Sequence, residues 1–271
     1  MAVIEASILD ANYAELRHEV VRVAEAGVDA FHLDVMDGQL TPRLTFGEYV
    51  VAQVRNWIEV PIEVHLAVLQ PERLAQRVCD AGADLVVFHI EATDRHHEVV
   101  DIVRAAGRST GIALRHDTPV SDLSDDLLLS VDWVALVAVP LGYGGHSAAP
   151  DTCARIAEVR RRCSALGHNV SIEVDGGVKP DNAFQFVDGG ADAVTVGTGI
   201  YHATDVTAAV SALREVGTPE HDALARRRAR RFLAAPSLDP VDDTARRRRL
   251  DDLRDALDIP RNIWDPLTSA H

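Results

Sequence analysis

The stretch AGVDAFHLDVMDG, residues 26–38, contains one unit of a repeating pattern: a glycine joint, a short apolar run and then polar residues. If residues 30–35 form a β-strand, alternate side chains face the same way, so His32 and Asp34 project together. A buried histidine beside a buried carboxylate is costly unless something pairs with them. A metal ion is one such partner and a simple His–Asp hydrogen bond is another, and this stretch does not decide between them.

The same pattern recurs along the whole chain. Short β-rich apolar runs alternate with segments whose apolar residues have helical spacing, such as residues 13–27. Eight strands, each followed by a helix, predict an α/β protein with a (β/α)8 TIM barrel, and near-continuous apolar strands suit a parallel sheet covered by helices. A doubly wound open sheet is the alternative. The predicted strands are residues 3–9, 30–35, 62–68, 84–90, 109–114, 133–139, 170–175 and 193–198.

The composition limits the class of protein. The chain has 271 residues, 47% of them apolar, which suffices for one large domain with a core. A formal charge of −15 argues against a nucleic-acid partner. The three cysteines form no plausible disulfide framework, and no apolar run reaches membrane-spanning length, so we expect a cytoplasmic protein without membrane contact. Lys179 is the single lysine, so a Schiff-base mechanism has one candidate residue.

The sequence divides into a predicted barrel and a different C-terminal extension. We expect residues 1–216 to form the barrel and catalytic domain, and residues 217–271 to form an Arg-rich, helical extension. Its arginine runs, residues 226–231 and 246–249, alternate with acidic residues. Basic runs can bind nucleic acid or anionic surfaces, but the interleaved acids favour a solvated helix or a contact between subunits. An extension that packs on its own acidic barrel is the third interpretation.

Polar residues follow the predicted strands at the end where TIM barrels carry catalytic groups. Two imidazoles and two carboxylates on separate strands can surround one divalent cation. Asp34 and Asp175 come from different sides of the barrel, so one can take a proton from a substrate while the other returns one. That exchange inverts a stereocentre beside a carbonyl through an enediolate, which a metal would stabilise. The strand-end residues are Ser7, His32, Asp34, His65, His89, Glu91, Asp175, Gly176, Gly177, Gly197 and Thr198.

Three glycine-rich turns predict the other end of the substrate site. The loops after strands 7 and 8 of such barrels often bind phosphate, because glycine lets backbone N–H groups approach an anion closely. Each turn alone is weak evidence, since most glycine-rich turns are only turns. The three are DGG at residues 175–177, GT at 197–198 and GYGG at 142–145.

Taken together and in order, these motifs resemble the ribulose-phosphate 3-epimerase family over roughly residues 2–215. The resemblance implies a TIM barrel of the ribulose-phosphate-binding type. It also implies a metal-dependent isomerase of carbohydrate metabolism that inverts C3 of a ketose phosphate, of the D-ribulose 5-phosphate/D-xylulose 5-phosphate type. The motifs are SIL (7–9), HLDVMDG (32–38), TFG (45–47), EVHL (63–66), HIEA (89–92), GYGG (142–145), EVDGG (173–177) and GTGI (197–200).

The resemblance assigns roles to single residues. His32, Asp34, His65 and Asp175 match the ligands of one divalent metal ion, which could be Zn, Fe, Mn or Co, since this donor set suits several metals. Asp34 matches the proton acceptor and Asp175 the proton donor, with the roles exchanged in the reverse direction. We also expect a small sugar phosphate as the ligand and a homo-oligomer. The expected substrate contacts are Ser7, Met36, His65, Gly142, Tyr143, Gly144, Gly145, Gly176, Gly177, Gly197 and Thr198.

The chain departs from the family at positions that should face the substrate. Ala67 and Val137 stand where the family has methionines, which leaves a roomier wall, and Arg43 is introduced after the second strand. The usual pentulose phosphate and another ketose phosphate, such as a hexulose 6-phosphate or a modified sugar phosphate, are both open. Arg43 and Arg115 could meet an added anionic group. The competing classes are another sugar-phosphate enzyme on the same barrel, either a metal-dependent aldolase or an enediolate-forming decarboxylase, and a non-catalytic scaffold that uses the Arg-rich extension.

Overall fold

A computed structural model of the protein describes residues 2–234, and in it eight parallel strands form a closed barrel in the order β1 to β8. Helices follow the strands along the chain, which confirms the predicted (β/α)8 TIM barrel. The alternative prediction of an open doubly wound sheet is wrong, because the sheet is closed. The strands are β1 (Val3–Ser7), β2 (Ala30–Met36), β3 (Ile62–Ala67), β4 (Leu85–His89), β5 (Ser109–Leu114), β6 (Trp133–Val137), β7 (Ser171–Asp175) and β8 (Ala193–Val196).

The helices turn their apolar residues toward the barrel. In the fourth helix, for example, Val99, Val100 and Val103 are buried, as a helix covering a sheet requires. No helix within residues 2–234 is both long and apolar enough to cross a bilayer. The α-helices are α1 (Leu16–Glu25), α2 (Glu48–Trp57), α3 (Ala75–Asp80), α4 (His96–Ala105), α5 (Asp125–Leu129), α6 (Thr152–Ala165), α7 (Ala183–Asp188), α8 (Thr198–Tyr201), α9 (Val206–Arg214), α10 (Pro219–Arg228) and α11 (Arg230–Leu233).

Four aspartates tie the strands together at the N-terminal end of the barrel, and we call them the clasp aspartates. Each lies directly before an even-numbered strand and accepts a hydrogen bond from a backbone N–H of the preceding odd-numbered strand. The bonds therefore join neighbouring strands where the barrel begins. The backbone N–H donors and their carboxylate acceptors are Ile4 and Asp29 (2.9 Å), Ile62 and Asp84 (3.0 Å), Thr110 and Asp132 (3.1 Å), and Ile172 and Asp192 (2.9 Å).

The described part of the C-terminal extension, α10 and α11, packs against this same end of the barrel. Phe232 is buried against Trp133, with the ring centroids 5.4 Å apart. In the structure the first arginine run therefore packs on the acidic barrel. The second run, residues 246–249, lies outside the described residues. The arginines pair with clasp aspartates: Arg226 with Asp29 at 3.0 Å, Arg228 with Asp192 at 2.8 Å and Arg231 with Asp132 at 3.3 Å.

Candidate active site

Two histidines and two aspartates meet near the C-terminal end of the barrel. One ligand atom from each of His32, Asp34, His65 and Asp175 lies within 4.8 Å of the others. The strand register explains the cluster, because Asp34 on β2 lies opposite His65 on β3, and His32 shares a face with Asp34. His32 Nε2 and His65 Nδ1 approach the same oxygen, Asp34 Oδ1, at 3.2 Å and 3.0 Å. His65 Nδ1 also lies 3.8 Å from Asp175 Oδ2.

A chain of polar contacts behind His65 sets its tautomer. His65 Nε2 lies 2.9 Å from His89 Nε2, and His89 Nδ1 lies 3.0 Å from Glu91 Oε2. Burial lowers the pKa of His89 to about 4, so His89 is neutral at pH 7. Because a neutral His89 donates Nδ1–H to the Glu91 carboxylate, its Nε2 must accept a hydrogen bond from His65 Nε2–H. His65 Nδ1, which faces the cluster, is then left without a proton in the neutral ring.

This arrangement of protons fits a bound divalent cation. His32 resembles His65, since its outer nitrogen Nδ1 faces the Glu63 carboxylate at 3.3 Å and the Glu173 carboxylate at 3.5 Å. In neutral rings with the protons on the outer sides, the inner nitrogens present lone pairs to a carboxylate oxygen, and either a bound cation or an added ring proton relieves the repulsion. Despite burial, Asp34 accordingly raises the pKa of both His32 and His65. Two imidazole nitrogens and two carboxylates form a donor set that several first-row metals accept. The cluster can therefore hold a divalent metal ion.

A layer of three glutamates lies inside the barrel next to His32. Glu5, Glu63 and Glu173 are completely buried. Glu173 accepts hydrogen bonds from Trp133 Nε1 at 2.7 Å and from Thr195 Oγ1 at 2.6 Å. Burial raises the pKa of Glu5 and of Glu63, and the charge of Glu173 raises both further. Glu63 and Glu173 face the outer side of His32, where the partners of metal-binding histidines commonly lie.

The two aspartates of the cluster have opposite electrostatic environments. Burial acts to raise the pKa of both carboxyl groups. At Asp34 the charges and hydrogen bonds of His32 and His65 outweigh burial and hold the pKa well below its usual range. At Asp175 burial and the charge of Asp34 prevail over the two histidines and raise the pKa to about 7. Ser7 Oγ also donates a hydrogen bond to Asp34 Oδ2 at 2.9 Å. Such a split between paired acids suits one proton acceptor and one proton donor.

A cleft opens above these aspartates, and glycine loops form its far wall. Gly176 and Gly177 have φ values of +95° and +74°, which other residues rarely adopt. A Cβ on Gly177 would overlap the backbone of Ala148, so only glycine lets the two loops come this close. Asp34 and Asp175 line the cleft with ten of the expected substrate contacts: Ser7, Met36, Gly142, Tyr143, Gly144, Gly145, Gly176, Gly177, Gly197 and Thr198.

His65 differs from the other expected substrate contacts. Its side chain is completely buried and does not line the cleft, so it lies behind the aspartates rather than at the surface that a ligand would touch. Arg43 lies at the cleft mouth, with its guanidinium 5.4 Å from the centre of the Tyr143 ring. Arg115 does not line the cleft, and its Nε lies 3.6 Å from Asp117. Neither arginine lines the cleft itself, but Arg43 contacts a residue that does, Tyr143, and is therefore the nearer of the two to a bound ligand.

Sequence reasoning missed Asp10 and the glutamate layer. Asp10 lines the cleft between Gly144 and Gly197, a position set by three separate loops that no local pattern reveals. Glu5 and Glu63 did have a usable signal. Each is two residues before a predicted site residue on the same strand, Ser7 or His65, so strand alternation places it on the same interior face.

Comparisons of sequence identify related proteins. The model of the Ribulose-phosphate 3 epimerase family matches residues 3–201. The ribulose-phosphate 3-epimerase of Synechocystis sp. is 34% identical over 220 residues, which cover 80% of this chain and 95% of the relative. That of Escherichia coli K12 is 34% identical over 218 residues, covering 80% and 96%. The chloroplastic ribulose-5-phosphate-3-epimerase of Arabidopsis thaliana is 36% identical over 219 residues, covering 80% and 78%.

Solved structures resemble the chain in fold at much lower identity. A 3-hexulose-6-phosphate synthase from Salmonella typhimurium aligns with a TM-score of 0.61 at 18% identity, covering 79% of this chain and 96% of its own. A 3-keto-L-gulonate-6-phosphate decarboxylase from Vibrio cholerae aligns with a TM-score of 0.61 at 16% identity, covering 79% and 96%. At these identities the likeness supports the barrel fold alone.

Proposed function

The chain belongs to the ribulose-phosphate 3-epimerase family and is an epimerase that acts on a pentose phosphate, and we propose that it inverts C3 of D-ribulose 5-phosphate by proton transfer between Asp34 and Asp175. Family membership speaks against the aldolase, decarboxylase and scaffold hypotheses. The observation that carries the proposal is the placement of two unlike carboxyl groups on β2 and β7, both lining one cleft.

Asp34 is the base in the direction from D-ribulose 5-phosphate. Its carboxylate takes the proton from C3, and the electron pair of the C–H bond moves into an enediolate spanning C2 and C3. Ser7 Oγ–H and the two histidines hold this carboxylate in one rotamer, so it needs no reorganisation during the step. The oxygens of the enediolate carry the new negative charge, which positive charge at the histidine cluster would stabilise.

Asp175 is the acid in the same direction. Its carboxyl group gives its proton to the opposite face of C3, which re-forms the C2 carbonyl and leaves C3 inverted. Asp34 ends protonated and Asp175 ionised, so the return reaction uses the same two groups in exchanged roles. Between turnovers in one direction, one proton must pass from Asp34 to solvent and one from solvent to Asp175.

We propose that His32, Asp34, His65 and Asp175 hold one divalent ion, of Zn, Fe, Mn or Co. When bound, such an ion supplies positive charge that stabilises the enediolate oxygens. Metal analysis of the purified protein tests this assignment, and we expect about one divalent ion per chain. The glycine loops 142–145, 176–177 and 197–198 would receive the phosphate through backbone N–H groups. The expected homo-oligomer and cytoplasmic location stay predictions, and the mass in solution tests the first.

The test of the proposal is the conversion of D-ribulose 5-phosphate to D-xylulose 5-phosphate by the full-length protein, followed by NMR. We expect conversion by the parent and a rate about a thousandfold lower in Asp34→Asn and in Asp175→Asn, because each loses one of the two proton-transfer groups. Hexulose 6-phosphates belong in the same assay, since Val137 lines the cleft where the family has a methionine and leaves more room beside Met36.

Asp101→Asn is the matched control, because it removes the same charge from the exposed surface of α4. It should convert the substrate at the parental rate. Metal analysis of all the variants separates loss of the ion from loss of the proton-transfer group. Parental rates in Asp34→Asn or Asp175→Asn would contradict the two-aspartate mechanism.

A further inference from the structure

A carboxylate occupies the part of the cleft that the proposed function gives to phosphate. Asp10 ends the short turn after β1 (Ile8–Asp10), and its side chain extends between the glycine loops. A Cβ on Gly197 would overlap Asp10 Oδ2, and a Cβ on Gly144 would lie 3.0 Å from Asp10 Oδ1. The two glycines thus leave room for a negatively charged group, and in this structure that group belongs to the protein.

Some of the groups around Asp10 could also serve a phosphate. The backbone of Thr198 hydrogen-bonds the Asp10 carboxyl group, which uses a donor that a phosphate would need. Burial and the charge of Asp34 raise the pKa of Asp10, whereas His202, the Thr198 backbone and Arg43 act to lower it. The carboxylate and a phosphate dianion would therefore compete for the same donors and would repel each other.

We propose that Asp10 is a specificity-determining residue at the phosphate end of the cleft. Its carboxylate fills the glycine-lined space in this structure and must leave when the phosphate of the substrate enters. This inference rests on the proposed function, since it takes the glycine loops as the phosphate site. Substrate binding then includes the loss of the Thr198 contact and the movement of a charged side chain.

The consequence falls on binding rather than on proton transfer. Asp10 lies against Gly144 and Gly197, which the proposed function assigns to the phosphate. Because the charge of the phosphate does not change during proton transfer at C3, Asp10 acts on the ground state and the transition state of the sugar phosphate alike. Its removal should therefore lower KM and leave kcat nearly unchanged. A ketose without the phosphate would leave Asp10 in place, so the parent should discriminate less against an unphosphorylated ketose than a variant without the carboxylate does.

The test compares Asp10→Asn and Asp10→Ser with the parent. Asn keeps the size and the acceptor oxygen but removes the charge, whereas Ser removes the charge and empties the space. For the epimerisation of D-ribulose 5-phosphate we expect KM to fall about tenfold in Asp10→Ser and less in Asp10→Asn, with kcat within about twofold of the parent. Calorimetric titration with inorganic phosphate should show tighter binding in the same order.

The control is again Asp101→Asn, which changes the net charge equally and should leave KM and phosphate affinity unchanged. An unchanged or raised KM in both Asp10 variants would overturn the inference, because Asp10 would then be neutral toward the substrate or a favourable contact. If the parent, the control and both variants all fail to epimerise the sugar phosphate, the proposed function fails instead. Phosphate titration still reports on Asp10 in that case.

Discussion

Aspartates lie at both ends of this barrel, and their neighbours give them different roles. At the C-terminal end, Asp34 and Asp175 are surrounded by histidines and line a cleft. At the N-terminal end, the clasp aspartates bind backbone N–H groups and pair with arginines. Arginines stay charged and hold the clasp aspartates as anions, whereas at the other end burial and the charge of Asp34 raise the pKa of Asp175 to about 7, so that it can exchange a proton. One residue type therefore serves stability at one end and chemistry at the other.

The largest effect should come from the histidines of the C-terminal end. His65→Gln removes one of the four proposed metal ligands, and we expect about a thousandfold loss of kcat together with loss of bound metal. The free energy of unfolding of the metal-free protein should fall by only about 1–2 kcal/mol, because His65 contacts Asp34 and His89 but, within the described residues, no arginine. Steady-state kinetics and metal analysis measure these changes. His97→Gln, at the exposed surface of α4, is the matched control. A His65→Gln enzyme with full metal content and parental kcat would remove His65 from the site.

The reverse pattern is expected at the N-terminal end. Asp192 is completely buried and pairs with Arg160 and Arg228 while it accepts the backbone N–H of Ile172. Asp192→Asn leaves these arginines facing an uncharged group, and we expect the free energy of unfolding to fall by about 3 kcal/mol. Urea unfolding measures this change.

The kcat of Asp192→Asn should stay within about twofold of the parent, because the substitution lies at the opposite end of the barrel from the cleft. Asp188→Asn is exposed and removes the same charge nearby, so its stability should match the parent. A normally stable Asp192→Asn with impaired catalysis would break the division between the two ends.

A smaller loss should follow from a change behind the histidines. Glu91 fixes His89, which in turn fixes the His65 tautomer, but it touches neither the cluster nor the cleft wall. We expect Glu91→Gln to lower metal affinity about tenfold, the lower end of what outer partners of metal ligands contribute. Competition with a chelator measures the affinity. Glu98→Gln, on the exposed face of α4, should behave as the parent, and equal affinities in all three proteins would show that the chain of contacts has no such role.

The smallest effect should come from an exposed clasp pair. Arg231 is half-exposed and lies 3.3 Å from Asp132, itself partly exposed. We expect Arg231→Gln to change the free energy of unfolding by less than about 1 kcal/mol, because solvent screens such pairs. Thermal or urea unfolding decides this, and a loss as large as that of Asp192→Asn would mean that burial does not separate strong clasp pairs from weak ones.

The strands could be predicted because their apolar runs are short and bounded by glycine. Residues 109–114 were predicted with both ends correct, and β6 ends at Val137 rather than at residue 139. There the Ala138 carbonyl accepts a hydrogen bond from Ala149 N–H in the loop instead of continuing the strand. Helical spacing extends over residues 13–27, but the observed helix spans only Leu16–Glu25, because Tyr13–Glu15 form a 3-10 turn. End effects of this kind depend on contacts outside the segment.

The site was predictable to the extent that strands position it. Alternation and barrel topology are enough to bring His32, Asp34, His65 and Asp175 together, and they do so in the structure. Asp10 depends on loops whose paths the sequence does not specify. The packing of Phe232 on Trp133 joins the extension to a strand that is distant in sequence. The arginine run before Phe232 had instead favoured a solvated helix or a contact between subunits. Long-range packing and loop conformation are the parts that sequence patterns leave open.

The most direct test of the two opposed aspartates is a single turnover of C3-protiated D-ribulose 5-phosphate in D2O. Because the proton that leaves C3 goes to Asp34 and the one that arrives comes from Asp175, the D-xylulose 5-phosphate should carry deuterium at C3 in nearly every molecule. The unreacted substrate should retain protium. A product that keeps the original proton at C3 would show that one group, or a direct transfer, carries the hydrogen, and the two-aspartate account would be wrong.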